Sequence, residues 1–203
     1  MSVLESIHAA RVYGRRVRVL GEWMARLLPR GASILDVGAG DGVIDELILR
    51  RRGDVSILGL DVLARPATRI PVEAFDGRTI PHPDASFDVV MFVDVLHHTP
   101  DPIRLLQEAR RASRRWVLLK DHTRDGPLAG ITLRFMDWVG NARHGVSLPY
   151  NFWPSRQWRE ALGGLGLSIR QWETRLGLYP AYANWLFGRS LHFVALLERS
   201  GAG

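Results

Sequence analysis

A short apolar strand followed at once by three closely spaced glycines is the feature that most constrains this fold. Residues 34–37 are typical of a buried strand, although one of them, Asp36, is acidic. Three glycines follow, at Gly38, Gly40 and Gly42. Glycine lets the backbone turn tightly and approach a ligand without a Cβ atom in the way. Because the next residues are typical of a helix, the segment predicts a strand–turn–helix unit that binds a nucleotide.

The glycine spacing separates two kinds of nucleotide-binding domain. Dinucleotide-binding domains carry G-x-G-x-x-G, whereas this chain has G-x-G-x-G after an acidic residue. A carboxylate there would repel a pyrophosphate and attract a cationic ligand. The run resembles the first motif of class I S-adenosylmethionine (SAM) methyltransferases, hydrophobic-Asp-hydrophobic-Gly-x-Gly-x-Gly. The resemblance implies SAM, which carries an ammonium and a sulfonium, as cofactor, held in part by Asp36, Gly38, Ala39 and Gly40.

Length and composition favour one soluble α/β domain over residues 1–203. Apolar residues make up 46% of the chain and charged residues 24%. The chain has no cysteine, which excludes disulfides and thiolate metal sites, and no spacing typical of metal ligands is evident, so we expect no metal. No apolar run approaches the roughly 20 residues of a spanning helix. Residues 1–10 lack a secretory core, so the cytoplasm is the default location.

The net charge of +6 comes almost entirely from arginine. An anionic partner such as RNA, a membrane surface or an acidic substrate is one interpretation. Solvated helix faces are the other, and we favour it because the arginine clusters fall at predicted helix ends, where cations suit the dipole. We expect a small-molecule substrate and no nucleic acid, because no aromatic RNA-reading motif accompanies the arginines. Peripheral membrane contact and the oligomeric state stay open.

Strands and helices alternate along the first 120 residues. Strands are predicted at 33–37, 55–60, 72–75, 87–93 and 116–119, and helices at 3–28, 43–52 and 102–112, with a short irregular helix near Arg65. This alternation, with continuous apolar strands, predicts a parallel sheet covered by helices on both faces. The methyltransferase resemblance implies a Rossmann-like seven-stranded sheet in the order 3-2-1-4-5-7-6, with strand seven antiparallel.

The remaining sequence breaks this rhythm. Residues 124–154 are rich in aromatic residues, glycine and proline, and we interpret them as a lid insert with a helix over 135–138. Ser155 is the predicted N-cap of a further helix. Two final strands are predicted at 167–174 and 191–198, separated by a long aromatic segment.

Acidic residues follow the second and third predicted strands, where ligands of parallel sheets bind. Asp61 can accept hydrogen bonds from the two ribose hydroxyls, with Val62 beside it. The resemblance implies that Asp76 accepts from the adenine amino group and that the backbone of Gly77 meets the ring. A plain turn is the alternative at both positions.

Two sequence segments around the fourth predicted strand specify which type of methyltransferase domain the chain resembles. They are IPHPDASFDVV at 80–90 and DVLHHTPDP at 94–102. Together they resemble the ubiquinone/menaquinone-biosynthesis type of methyltransferase domain. The resemblance places Val93 and Asp94 beside the methionine end of the cofactor, and His97 and His98 near the methyl group. Either histidine could be a general base, or could pack and cap the following helix.

Candidate substrate contacts lie beyond strand five. Asp121 and His122 could orient a base or bind a polar group, although neighbouring side chains of an extended segment point oppositely. The lid offers polar side chains that could reach a substrate, namely His144, Tyr150 and Asn151. It also offers aromatic residues that could line an apolar pocket, namely Trp138, Phe152 and Trp153. Tyr13 and Arg15 or Arg16 could close over the cofactor carboxylate, or lie on an exposed helix face.

The sequence therefore predicts a SAM-dependent methyltransferase that acts on an O, N or C atom of a small, partly apolar molecule. A non-catalytic SAM-binding scaffold that keeps the pocket is the alternative. A nicotinamide-dependent oxidoreductase is a third, which Asp36 and the glycine spacing disfavour.

Overall fold

One seven-stranded sheet organises the computed structural model, which describes residues 3–63, 65–141, 150–188 and 190–201. The strands are β1 (Ser33–Val37), β2 (Ser56–Asp61), β3 (Val72–Ala74), β4 (Phe87–Val93), β5 (Ser113–His122), β6 (Leu167–Glu173) and β7 (His192–Arg199). Their order is β3-β2-β1-β4-β5-β7-β6, and β7 is antiparallel to both of its neighbours. The predicted strand order and fold class are confirmed.

Helices cover both faces of this sheet. They are α1 (Val3–Leu27), α2 (Val43–Arg51), α3 (Pro102–Ala112), α4 (Ala129–Asn141), α5 (Ser155–Gly164) and α6 (Ala181–Phe187), with a 3₁₀ turn at Leu96–His98. One core layer packs Leu105 of α3 and Trp158 of α5 against the sheet. The other packs Met24 of α1 and Ile48 of α2 against the opposite face. Both sides of the central strands are therefore buried, which explains their continuous apolar sequence.

The structure corrects three local predictions. Strand β5 has ten residues, because it pairs with β4 on one side and β7 on the other. The described residues on either side of position 64 form no helix near Arg65. Ser155 is the first residue of α5 and not its cap. Its backbone N–H donates to the Asp125 carboxylate, at 3.2 Å from each oxygen, so the lid supplies the cap instead.

The lid insert is closed at its base and carries a longer helix than predicted. The Arg124 N–H donates to the Trp153 carbonyl at 3.0 Å, which joins the two ends of the segment. Between them, α4 buries Ala129 and Leu133 in a small cluster with Phe152. Residues 142–149, including the candidate His144, lie outside the described residues. None of the helices in the described ranges is long and apolar enough to cross a membrane.

Candidate functional site

The three glycines form a turn that directly follows β1. All three adopt positive φ, at 85°, 61° and 76° for Gly38, Gly40 and Gly42. The N–H groups of Gly38 and Ala39 donate to the Leu60 carbonyl at 2.7 and 3.0 Å, which ties the turn to β2. A Cβ on Gly38 would lie 2.4 Å from Cγ2 of Val95, so the close approach of the segment after β4 requires glycine.

Asp61, at the end of β2, fixes the far side of this turn. Its Oδ2 accepts from the Gly40 N–H and its Oδ1 from the Leu63 N–H, both at 2.8 Å. A carboxylate has about four lone-pair sites, so each oxygen can accept a further hydrogen bond. The side chain is therefore both a structural anchor of the turn and a suitable acceptor for ribose hydroxyls.

Asp76 and Gly77 lie after β3 beside a cleft of about 260 Å³. Oδ1 of Asp76 accepts from the N–H groups of Thr79 and Arg78, both at 2.7 Å, and these bonds lower the pKa of Asp76. Asp76 therefore does cap the turn, as the alternative interpretation expected. Val62 is exposed and packs close to Gly77, where a Cβ would lie 2.9 Å from its Cγ1.

Two buried carboxyl groups lie beneath the glycine turn. Oδ1 of Asp36 and both carboxyl oxygens of Asp45 are buried without a hydrogen-bond partner. Burial raises the pKa of Asp36 well above its ordinary value, and neighbouring Asp45 raises it further. Burial also raises the pKa of Asp45, to about 6. A cationic group bound near the turn would stabilise these carboxylates in their charged form.

Asp94 connects helix α1 to strand β5. It follows β4 with φ 59°, a conformation that costs a non-glycine residue free energy and is common at functional sites. Its carboxylate binds Arg16 of α1 at 2.5 Å and the Lys120 ammonium of β5. Burial alone would raise the pKa of Asp94, but the Lys120 and Arg16 charges hold it well below its ordinary value.

Lys120 is fully buried at the carboxyl end of β5. Its Nζ contacts Asp94 and lies 3.3 Å from Nδ1 of His192 at the start of β7. Burial lowers the pKa of Lys120 to about 8, although Asp94 opposes this shift. Burial and the Lys120 charge also hold the pKa of His192 well below its ordinary value, so its imidazole is neutral at pH 7.

Asp121 holds the turn after β4 in place. Its Oδ1 lies 2.7 Å from Nδ1 of His97, and its Oδ2 accepts from the Leu96 N–H at 3.1 Å. Burial would raise the pKa of Asp121, but the neighbouring His97 and its hydrogen bonds hold it well below its ordinary value. This carboxylate therefore fixes the position and orientation of the His97 ring.

His122 lies between the two carboxylates. Its Nδ1 is buried without a hydrogen-bond partner, 3.5 Å from Asp94 Oδ1 and 3.4 Å from Asp121 Oδ1. Burial and then the Lys120 charge lower the pKa of His122 well below its ordinary value. A neutral imidazole can accept a proton, and the two carboxylates would offset part of the penalty that burial and the Lys120 charge place on the imidazolium.

Three groups that could bind a metal ion also meet here, although no such spacing was evident in the sequence. One ligand atom each from Asp94, His97 and His122 lies within 4.8 Å of the others. Arg16 and Lys120 already bring two positive charges to Asp94, which weakens the attraction of this trio for a divalent cation. We therefore assign the trio to proton chemistry.

Lid residues that the structure describes pack against the rings of His97 and His122. The Phe152 ring stacks 5.2 Å from His97 and lies 5.6 Å from His122. Asn151 donates its backbone N–H to the His97 carbonyl and its amide to the Thr99 carbonyl, at 3.2 and 2.6 Å. These bonds make Asn151 a support for the turn. Tyr150 is half-buried beside Phe152, with the two ring centroids 6.2 Å apart.

The remaining candidate residues lie around the same site. The candidate pocket-lining Trp138 is 57% exposed on α4, whereas Phe152 is buried and Trp153 partly buried, and a pocket lined by these residues stays a prediction. His98 is partly buried, with its ring 4.0 Å from that of His97. Val93 ends β4 directly before Asp94.

Sequence reasoning gave no role to His192 and only noted Lys120 in passing. Lys120 is the only lysine in the chain and lies in an apolar strand, which was a usable signal. His192 carried no such signal, because it joins the site only through the pairing of β5 with β7, which places it opposite His122.

Known proteins resemble the chain in sequence and in fold. It is 26% identical over 194 residues to a 2-methyl-6-phytyl-1,4-hydroquinone methyltransferase of Synechocystis, covering 90% of this chain and 52% of that protein. It is 31% identical over 124 residues to a phosphatidylethanolamine N-methyltransferase of Cereibacter sphaeroides, covering 53% of this chain and 60% of that protein. The chain thus spans little more than half the length of these relatives.

A solved structure shows the same fold. A SAM-dependent methyltransferase from Aquifex aeolicus superposes with a TM-score of 0.63 at 15% identity, covering 93% of this chain and 97% of that one. Residues 8–171 match the family described as methyltransferase domain. This match covers most of the chain, and the glycine turn with its carboxylates lies inside it. The chain belongs to the methyltransferase domain family.

Proposed function

We propose that this protein transfers a methyl group from SAM to an O, N or C atom of a small, partly apolar acceptor. The observation that carries the proposal is the arrangement around the glycine turn. Asp36 lies in β1, Asp61 ends the neighbouring β2 and binds the glycine turn, and Asp76 follows β3, the next strand of the sheet, while the turn leaves room for a ligand at Gly40. The family match supports the reaction class.

The hydrogen-bonding, apolar and charged groups near the glycine turn suit the separate parts of SAM. Asp61 would hold the ribose hydroxyls, and the Val62–Gly77 contact beside the 260 Å³ cleft would hold the adenine ring. Asp94 and Arg16 form an opposite-charge pair that suits the ammonium and carboxylate of the methionine end. The unpartnered Oδ1 of Asp36 is a further acceptor beneath the turn, and a bound cationic group would favour its charged form.

SAM supplies an electrophilic methyl group on a sulfonium centre, so the residues of this chain need only hold the acceptor in line and exclude water. For a hydroxyl acceptor, His122 takes the proton, and Asp94 and Asp121, whose carboxylates lie 3.5 and 3.4 Å from its Nδ1, orient the ring and stabilise the imidazolium. Asp121 acts as a positioning residue through His97 and the turn. Phe152 excludes water above both imidazoles.

A second cleft, of about 460 Å³, suits the acceptor. Leu176 and Leu178 give it apolar walls, and His192 reaches it from the Lys120 side. The names of two relatives point to acceptors with long apolar chains, a phytyl hydroquinone and phosphatidylethanolamine. The resemblance to the quinone-biosynthesis type points the same way. A quinol or lipid-like molecule is therefore the acceptor class that we infer.

Calorimetric titration with SAM and S-adenosylhomocysteine tests the cofactor half of the proposal. We expect micromolar binding of both, and no binding of either would overturn it. Transfer of labelled methyl from SAM to prenylated hydroquinones, phosphatidylethanolamine and small aromatic acids tests the reaction. Tight cofactor binding without transfer to any of these would support a non-catalytic scaffold instead.

A further inference from the structure

The outer side of α4 carries an apolar stripe that the core does not use. We propose that this stripe docks the protein on an anionic lipid surface. Its members are Leu128, Ile131, Phe135 and Trp138, with exposed fractions of 67%, 69%, 54% and 57%. The inference goes beyond the proposed function, because docking requires neither SAM nor methyl transfer.

Helix geometry sets these side chains on one line. At about 100° per residue, Ile131, Phe135 and Trp138 lie within about 60° of one another around α4. Ala129 and Leu133 lie on the opposite side, where they are buried in the cluster with Phe152. The helix is therefore apolar both toward the core and toward solvent, and packing on the core accounts for only one of these two sides.

The backbone before the helix supports the same conclusion. Leu128 adopts φ 59°, in the left-handed region that favours glycine or asparagine, and it is exposed there. A bulky apolar residue at such a position contributes nothing to the core of this protein. Contact with an external apolar phase would give the side chain a function.

Charge selects an anionic surface as the partner. Arg134 is exposed along one edge of the stripe, and Cδ of Arg124 lies 3.4 Å from the Cβ position of Gly130 on that same edge. Two arginine side chains on this flank of an apolar stripe match the arrangement of anionic head groups above acyl chains. Trp138 at the end of the stripe suits the polar–apolar boundary of a bilayer.

The size of the stripe argues against a second copy of this chain. Thirteen residues of α4 make a helix about 20 Å long, and a strip about 10 Å wide covers roughly 200 Å². A stable protein–protein interface buries about 800 Å² on each partner. Insertion into a lipid surface needs no such area, because apolar side chains and basic charges contribute separately.

Docking through α4 would place the site next to the membrane. Phe152, against which the inner side of α4 packs, contacts the rings of His97 and His122. The histidines would thus lie about one helix diameter and one ring spacing, roughly 15 Å, from the lipid surface. An acceptor embedded in the bilayer would reach the site by a short path.

Sedimentation with lipid vesicles tests the proposal. We expect the full chain to bind phosphatidylcholine vesicles that contain phosphatidylglycerol. The double variant Ile131→Ser/Phe135→Ser should bind roughly ten-fold more weakly, because it loses two inserted side chains. Tyr13→Ser is the matched control, since Tyr13 is 60% exposed on α1, and its binding should not change.

A second pair of variants tests how much the arginine charge contributes to vesicle binding. Arg134→Gln should weaken binding to anionic vesicles, and added salt should reduce the difference from the unchanged protein. Arg30→Gln makes the same change in net charge at an exposed position after α1 and should have little effect. Equal weakening by both variants would show a general charge effect and overturn the docking geometry.

Hydrogen exchange of the unchanged protein tests the surface without any variant. Vesicles should protect amides over residues 128–138 more than those of α5. Protection elsewhere, or full vesicle binding by a folded double variant, would overturn the proposal. A concentration-dependent dimer that the double variant loses would assign the stripe to a second copy instead. Each outcome is independent of methyl transfer.

Discussion

The two halves of the site hold their charges in opposite ways. At the glycine turn, the carboxylates of Asp61 and Asp76 accept from backbone N–H groups and keep hydrogen-bonding capacity for a ligand. At the end of β5, Lys120 and Asp121 are fully buried and bound to other residues of the chain. The first half is therefore suited to binding and the second to holding protons and positions. Variants in the first should change cofactor affinity, and variants in the second should change turnover.

The largest expected effect is on turnover. His122→Ala should lower kcat by about a hundred-fold or more on a hydroxyl acceptor, because the proton would lose its acceptor. Cofactor affinity measured by calorimetry should stay within about two-fold. His82→Ala, which removes a histidine packed against Phe87 outside the cluster, is the control.

The pH profile sharpens this test. Because the pKa of His122 is lowered, the imidazole stays neutral and able to accept a proton as the pH falls from 7.5 to about 6. Turnover should therefore stay nearly constant over that interval. A steep loss centred near pH 6.5 would contradict the assignment of His122 as the base.

The next effect is on cofactor binding. Asp61→Ala should weaken the affinity for SAM by about a hundred-fold, since the ribose hydroxyls lose a charged acceptor and Gly40 loses its anchor. Asp54→Ala, two residues before the same strand begins, should leave the affinity unchanged. Calorimetry of both variants decides the matter, and equal affinities would remove Asp61 from the cofactor site.

A third prediction concerns stability. The raised pKa of Asp45, about 6 against 3.8, means that folding disfavours its charged form. This penalty is small below pH 4 and complete above pH 6, where it reaches about 3 kcal/mol at most. Asp45→Asn should therefore raise the free energy of unfolding by about 2 kcal/mol at pH 8 and by far less at pH 4.

Exposed Asp84 offers the control for that stability measurement, because it lies away from Asp45. Denaturant unfolding of Asp84→Asn at the same two pH values should show no comparable gain at pH 8. If Asp45→Asn gave the same change at both pH values, its effect would come from packing and not from ionisation.

The smallest effect is expected for Arg16, whose partner Asp94 lies between the glycine turn and the end of β5. Arg16→Gln should weaken SAM binding about five-fold, because a partly exposed guanidinium contributes about 1 kcal/mol to a charged ligand. Arg18→Gln, exposed on the same helix, should have no effect. Equal affinities for both would return Arg16 to a purely structural role with Asp94.

Local sequence determined the glycine-turn half of the site, because the residues of that half lie close together in the chain. The glycines, Asp36 and Asp61 lie within about thirty residues, and their roles follow from backbone sterics and strand ends. Strand order followed from the family resemblance and was confirmed. The short lid helix and the Ser155 cap were predicted less well, because Asp125, thirty residues away, supplies the cap.

Only the tertiary structure decided which residues meet at the end of β5. The insertion of β7 between β5 and β6 sets His192 opposite His122, seventy residues away in sequence, and beside Lys120. Burial at that pairing, and not residue type, lowers the pKa values of both histidines. Which side of α4 faces the core was equally a matter of packing, since both sides are apolar in sequence. A periodic pattern fixes which residues share a side, and only the contacts of Phe152 decide which side is buried.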